Sequence, residues 1–242
     1  VVEENAIRDG VKRPIPVAFQ WSGGKDSALA LGRLLADQRY AVRYLATTVA
    51  GRPQESTVHR LPVRLLRAQA DAIGVPLYPI PLSSTGLDDY VGAMDTAARA
   101  LYAEGIRAFG VGDLGHSDGF SYKREQFRPL GIDVVAPLQD MTSRECIDDF
   151  LLSGIEATTV VVDAAVLDRD YLDRPVTDEF IAALPAGCDP CGEGGEYHTF
   201  VSQAPYFRAP VDFTTGAADY IRNSINTTDG PQEFTYWRLR LS

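Results

Sequence analysis

Two stretches of this chain carry residue types at spacings that could do chemistry. The first is Ser22-Gly23-Gly24-Lys25-Asp26-Ser27. Two glycines let successive backbone N–H groups converge on one point, Ser22 and Ser27 add hydroxyl donors, and Lys25 adds a positive charge. Placed between a strand and a helix, such a turn suits phosphate, because unpaired N–H groups and the positive end of the helix dipole meet there. Asp26 is out of place beside an anion unless it holds a bridging Mg2+ or orients the loop. A Walker A loop would need a glycine five positions ahead of the Gly24-Lys25 pair, where this chain has Phe19.

The second stretch runs Gly187-Cys188-Asp189-Pro190-Cys191-Gly192-Glu193-Gly194-Gly195-Glu196-Tyr197-His198-Thr199-Phe200. Gly192, Gly194 and Gly195 allow the backbone to pass close to a ligand, while Glu193 and Glu196 could hold an ammonium ion or accept a proton from ammonia. A solvated acidic turn is the plain alternative. Cys188 and Cys191 form a CxxC, which reads as a redox pair, half of a zinc site, a sulfur carrier, or two thiols in a turn. No second CxxC or HxxxH completes a zinc site, and Cys146 reads as buried on a helix. His59, His116 and His198 are too scattered along the chain to read as a metal cluster.

Hydrophobic patterning supplies the elements that must position these residues. Ile15 to Phe19 reads as a buried strand and Ala28 to Leu35 as a helix. Strands follow at Val42 to Val49, Leu77 to Ile80 and Arg107 to Val111, separated by helices at Ser56 to Ile73 and Leu87 to Glu104. Pro76 and Pro79 put the third strand at a sheet edge. Alternation at this spacing predicts right-handed crossovers and a doubly wound parallel sheet, with ligands beyond the carboxyl ends of the strands where strand order reverses. If the first and fourth strands flank that point, Gly112-Asp113 faces the Ser22 to Ser27 turn.

Further on, the pattern predicts a helix over Tyr122 to Leu130, a strand at Asp133 to Ala136, a Thr142-capped helix to Ser153 and a strand at Glu156 to Val162. Short helices follow at 167–172 and 177–184. The tail alternates, placing Trp237, Leu239 and Leu241 on one face of a strand. These readings predict three regions: a flexible lead-in over 1–13, a ligand-binding domain over 14–140, and a smaller α+β domain over 141–242.

A net charge of −10 over 242 residues disfavours a broad grip on nucleic acid. No apolar run is long enough to span a membrane, and three cysteines suit a cytoplasmic protein.

The SGGKDS turn resembles the PP-loop of ATP pyrophosphatases, and together with CGEGGEYHTF near residue 200 the chain is similar to the diphthine-ammonia ligase family. The likeness takes in His59, the stretch from Gln69 to Leu77, Gly112-Asp113, Tyr122, Arg124, Glu125, Pro137-Leu138 and the helix holding Cys146. It implies an N-terminal ATP-binding fold of the Rossmann-like PP-loop type and a C-terminal region that closes on the acceptor. Ser22 to Ser27, Thr47, Thr48, His59 and Gly112-Asp113 would then bind ATP, with Asp26 on Mg2+ and Lys25, Asp26, Glu193 and Glu196 catalytic. Tyr122, Arg124, Glu125, Gly192, Gly194 and Gly195 would meet the acceptor.

The implied reaction adenylates a carboxylate, releases pyrophosphate, and displaces AMP with ammonia. Partners would be ATP, ammonium and either diphthine on elongation factor 2 or a small carboxylate, with a second copy if the chain is a homodimer. Gln139-Asp140 stands where an aromatic is expected and Gly115 to Phe120 forms an atypical insert, both on the acceptor side. Adenylation of a tRNA base and a non-catalytic ATP sensor are the competing functions.

Overall fold

A computed structural model describes residues 13–51, 54–57, 59–84, 86–114, 118–227 and 230–242. Residues 1–12 of the lead-in expected over 1–13, the Gly115-His116-Ser117 segment and the Tyr122 side chain lie outside the described part. The first half contains β1 (Ile15–Gln20), β2 (Tyr40–Ala50), a two-residue β3 (Glu55–Ser56), β4 (Leu77–Pro81), β5 (Ala108–Gly110) and β6 (Asp133–Val135). Apart from β3, these strands pair in parallel in the order β4-β2-β1-β5-β6. The chain winds outward from β1 through β2 to β4, then returns to the other side of β1 at β5. Strand order therefore reverses between β1 and β5, which pair Val17 with Ala108 and Phe19 with Gly110. This is a Rossmann-like sheet of the PP-loop kind, and the loops after β1 and β5 share the position where such sheets bind ligands.

Helices α1 (Lys25–Ala36), α2 (Val63–Ile73), α3 (Leu87–Ala103) and α4 (Asp118–Phe127) cover the sheet. Side chains alternate across a strand, and β1 shows why this strand must be apolar throughout. Val17 and Phe19 enter a core with Leu31, Leu34 and Leu66, whereas Ala18 enters a separate core with Leu101, Phe109 and Phe127. β4 pairs only with β2, as its prolines require.

The second half adds α5 (Ser143–Leu152), with Thr142 and Glu145 forming a capping box, β7 (Glu156–Asp163), α6 (Asp178–Ala182), β8 (Tyr197–Gln203), β9 (Thr215–Thr227) and β10 (Gly230–Leu241). These strands form a smaller antiparallel sheet ordered β8-β7-β10-β9. Leu239 and Leu241 are buried on one face of β10, and Phe200, Val161 and both leucines join the same core as Phe19 and Leu31. No helix among the described residues is long and apolar enough to cross a membrane.

Three readings need correction. The second helix starts at Val63 rather than Ser56, because Pro62 lacks an N–H and keeps the residue before it out of helical conformation. Ser56 is instead in β3, and His59 sits in a turn whose neighbour Arg60 has φ 54. The helix expected over Tyr122 to Leu130 is α4 followed by a 3-10 turn at Arg128–Leu130, where Pro129 interrupts the α ladder. β9 was not expected, since Gly216, Ala217, Ala218, Asp219 and Asn223 have low strand propensity; its register with β10 holds it extended.

Candidate active site

The turn after β1 is built into the second sheet as well as the first. Gly23 O accepts a hydrogen bond from Val201 N at 2.9 Å, and Lys25 N donates to Thr199 Oγ1 at 2.9 Å. Gln69, fully buried on α2, completes the join. Its Nε2 donates to Gly23 O at 3.1 Å and to Val201 O at 2.7 Å, while its Oε1 accepts from Trp21 Nε1 at 2.9 Å. β8 thus holds the start of α1 in place. Within the turn, Ser22 Oγ donates to Ser27 Oγ at 2.9 Å, and Ser27 Oγ donates to Gly24 O at 2.9 Å.

Two glycines here have steric reasons. A Cβ on Gly24 would overlap His59 Cε1 and lie 2.9 Å from its Nδ1; one on Gly112 would lie 2.9 Å from Ser27 Cα. The second contact shows how closely the loop after β5 approaches the first turn of α1.

Lys25 is buried, and its Nζ donates to both Asp26 oxygens at 2.6 and 2.8 Å and to the Cys191 carbonyl. It also lies 3.4 Å from Cys191 Sγ and 5.2 Å from the centre of the Tyr197 ring. Burial alone would lower its pKa, but the negative potential of Asp26, with Tyr197 and Cys191, outweighs that and holds it well above the ordinary lysine value. Lys25 therefore stays charged and ties the first turn to the glycine- and glutamate-rich loop.

A cavity of about 380 Å³ opens over these residues. Ser22, Lys25, Asp26, Ser27, His59, Gly112 and Asp113 line it from the first half of the chain, and Gly192, Glu193, Gly195, Tyr197, His198 and Thr199 from the second. Glu193 stands exposed on the rim, yet desolvation of its carboxyl, then repulsion from Asp26, raises its pKa to about 7. His59 Nδ1 is 2.9 Å from Thr199 O, and its ring centre is 4.8 Å from that of His198. Burial, then the His59 and Lys25 charges, lowers the His198 pKa to about 3; burial likewise lowers that of His59. Both rings are neutral at pH 7. Lys123, also in the lining, bonds Asp113 Oδ2 through its Nζ at 2.7 Å.

The structure brings together Ser22, Lys25, Asp26, Ser27, His59, Gly112, Asp113, Gly192, Glu193 and Gly195. Gly23 and Gly24 shape the turn without lining the cavity. Thr47 and Thr48 stand outside it: the Thr47 hydroxyl donates to Trp21 O, and Thr48 Oγ1 lies 2.8 Å from Thr57 Oγ1. Glu196 turns back on its own loop, where Oε1 accepts from Asp189 N at 3.1 Å beneath Gly194. Arg124 and Glu125 are exposed on α4, away from the cavity lining. Sequence reasoning missed Lys123, one residue away from them, and Thr199, Gln69 and the His59–His198 pair; only the helical turn shared with Arg124 offered a signal for Lys123.

The comparisons follow this division of labour. Residues 15–117 match the model of the diphthamide synthase N-terminal domain, and residues 139–225 match that of the diphthamide synthase C-terminal domain. A curated relative, diphthine–ammonia ligase of Rattus norvegicus, is 26% identical over 250 residues, covering 92% of this chain and 90% of the relative. Diphthine–ammonia ligase of Schizosaccharomyces pombe is 26% identical over 115 residues, covering 43% of this chain and 19% of that longer protein. With both regions matched in order, and one cavity closed by a loop from each, the chain belongs to the diphthamide synthase family of ATP-dependent ligases.

Proposed function

We propose that the chain is an amide-forming ligase that adenylates an acceptor carboxylate and displaces AMP with ammonia. In this reading residues 14–140 bind ATP and residues 141–242 recognise the acceptor, in the cytoplasm. The observation that carries it is that Glu193 lines the same cavity as Lys25, Asp26, Ser22 and Ser27. One cavity then offers both donors for phosphate and a base.

ATP phosphates would lie against Ser22, Ser27 and the start of α1. The acceptor carboxylate oxygen bonds to the α-phosphorus and pyrophosphate leaves with the electron pair of the broken P–O bond. Lys25 and the hydroxyls offset the charge that develops there. Ammonia then bonds to the acyl carbon, AMP departs, and a Glu193 carboxylate oxygen takes the surplus proton. A carboxyl with a pKa near 7 is suited to that exchange. His59 and His198, both uncharged, present ring nitrogens without repelling an ammonium ion.

The donor set suits Mg2+: Asp26, Asp113 and Glu193 carboxylates and two serine hydroxyls face the same space, all hard oxygen donors. Asp26 would hold the ion, which supplies charge neutralisation on the phosphates. The acceptor is diphthine or a smaller carboxylate.

The test incubates the protein with ATP, Mg2+ and ammonium, with and without candidate acceptors that include a diphthine-bearing protein. Acceptor-dependent AMP and pyrophosphate are expected. ADP and phosphate would overturn the chemistry.

A further inference from the structure

The CxxC is the one motif the ligase reading leaves without a task. Its partner is remote in sequence. Cys146 on α5 is fully buried, Cys191 is 2% exposed, and among the described residues Asp26, Cys146 and Cys191 present ligating atoms all within 4.8 Å of one another. Cys191 Sγ lies 3.3 Å from Asp26 Oδ1. Ligands around one tetrahedral ion with metal–sulfur bonds of ~2.3 Å stand up to ~3.8 Å apart, so these groups need only small movements to share an ion.

We propose that Asp26, Cys146 and Cys191 form a site for one thiophilic divalent cation, Zn2+ or its analogue Cd2+, beneath the floor of the cavity. Cys188, half-buried, takes no part, because its Sγ turns to Asp189 O at 3.8 Å.

Three observations support the site. First, the ligand chemistry is selective: two thiolates and one carboxylate favour soft cations over Mg2+. The fourth position is left to water on the cavity side, where Asp26 is already part of the lining. Second, charge balances. Binding expels one proton from each thiol into solvent and admits one dication, so the buried net charge does not change. Third, Lys25 need not leave. Its Nζ bonds Asp26 Oδ2 at 2.8 Å as well as Oδ1 and is also held by the Cys191 carbonyl. Oδ1 can pass to the ion while Oδ2 keeps the lysine, an outer-shell partner that fixes the carboxylate. A bound ion would clamp α1, α5 and the Glu193 loop at one point, and with Oδ1 on that ion and Oδ2 on Lys25 it would exclude the Mg2+ that the ligase reading gives to Asp26.

The experiment titrates the full chain, reduced and stripped of metal, with Cd2+ while following the thiolate-to-metal charge-transfer band in the ultraviolet. One equivalent should saturate the band in the wild-type chain and in Cys188→Ser. Cys146→Ala and Cys191→Ser should bind at least ~100-fold more weakly, the upper range for loss of a mere outer-shell partner. Circular dichroism confirms that each variant is folded. Asp26→Asn leaves both buried cysteines untouched and should also weaken binding by at least ~100-fold. No band in the wild type, or unchanged affinity in Asp26→Asn, overturns the proposal. A full band in folded Cys146→Ala would also overturn it, by giving the ion to Cys188 and Cys191.

Discussion

Gly24→Ala isolates the contact on which the shape of the first turn depends. Gly24 has φ −101 and ψ 176, so alanine suits the backbone and any effect must come from the added methyl. That methyl would overlap His59 Cε1 and stand 2.9 Å from His59 Nδ1 and 3.1 Å from Thr199 O. Ordinary carbon contacts need ~3.5–4.0 Å, and Thr199 O belongs to a paired strand, so the imidazole must retreat. Overpacking of this kind costs about 1–3 kcal/mol. Losing the bond between His59 Nδ1 and Thr199 O adds about 0.5–1.5 kcal/mol. The total expected for Gly24→Ala is about 2–4 kcal/mol in urea unfolding. In a His59→Ala background the methyl meets no ring, and most of that cost should vanish, leaving a coupling of at least ~1 kcal/mol between the two sites. Equal costs in both backgrounds would refute the reasoning and leave Gly24 required for some other purpose.

Gln69→Leu should lower unfolding free energy by about 2–4 kcal/mol, because it strands the Trp21 indole N–H and the Val201 carbonyl inside the core; a loss under ~1 kcal/mol in chemical denaturation would contradict the join described here. For Glu193, the folded pKa near 7 lies above the ordinary 4.5, so its contribution to stability is full below pH 4.5 and is lost as pH rises through about 7. Amide formation should rise over the same upper limb as the carboxylate appears, and Glu193→Gln should abolish that limb in a pH–rate profile. His198 has the opposite sign: its folded pKa near 3 lies below 6.5, so stability is full above pH 6.5 and falls as pH drops toward 3. His198→Gln should flatten that decline in thermal melts, and an unaltered acid limb would remove His198 from the account.

Much of this was legible because local chemistry and global position agree. A strand, two glycines and a helix carry their own geometry, so Ser22 to Ser27 and the β1–β5 crevice follow from adjacent residues. Glu193 was visible through the glycines that flank it. What the sequence hid was pairing at long range. His59 and His198 are far apart in the chain yet share a ring contact, and Cys191 finds Asp26 and Cys146 only after α5 and the last loop pack. Lys123 was masked by its neighbours Arg124 and Glu125, since a charged run does not say which member a helix turns inward. β9 was hidden because its extended state comes from β10 rather than from its own residues.

The bond from Lys25 N to Thr199 Oγ1 joins residues 174 positions apart. A contact so distant closes a large loop of chain and therefore forms after the local turns have done so. During synthesis the whole parallel sheet can emerge while the start of α1 still lacks its fastener, because β8 is made later. The first half carries the recognisable motif, but its finished geometry waits on the second. That delay keeps a chain only partly made from presenting a completed cavity.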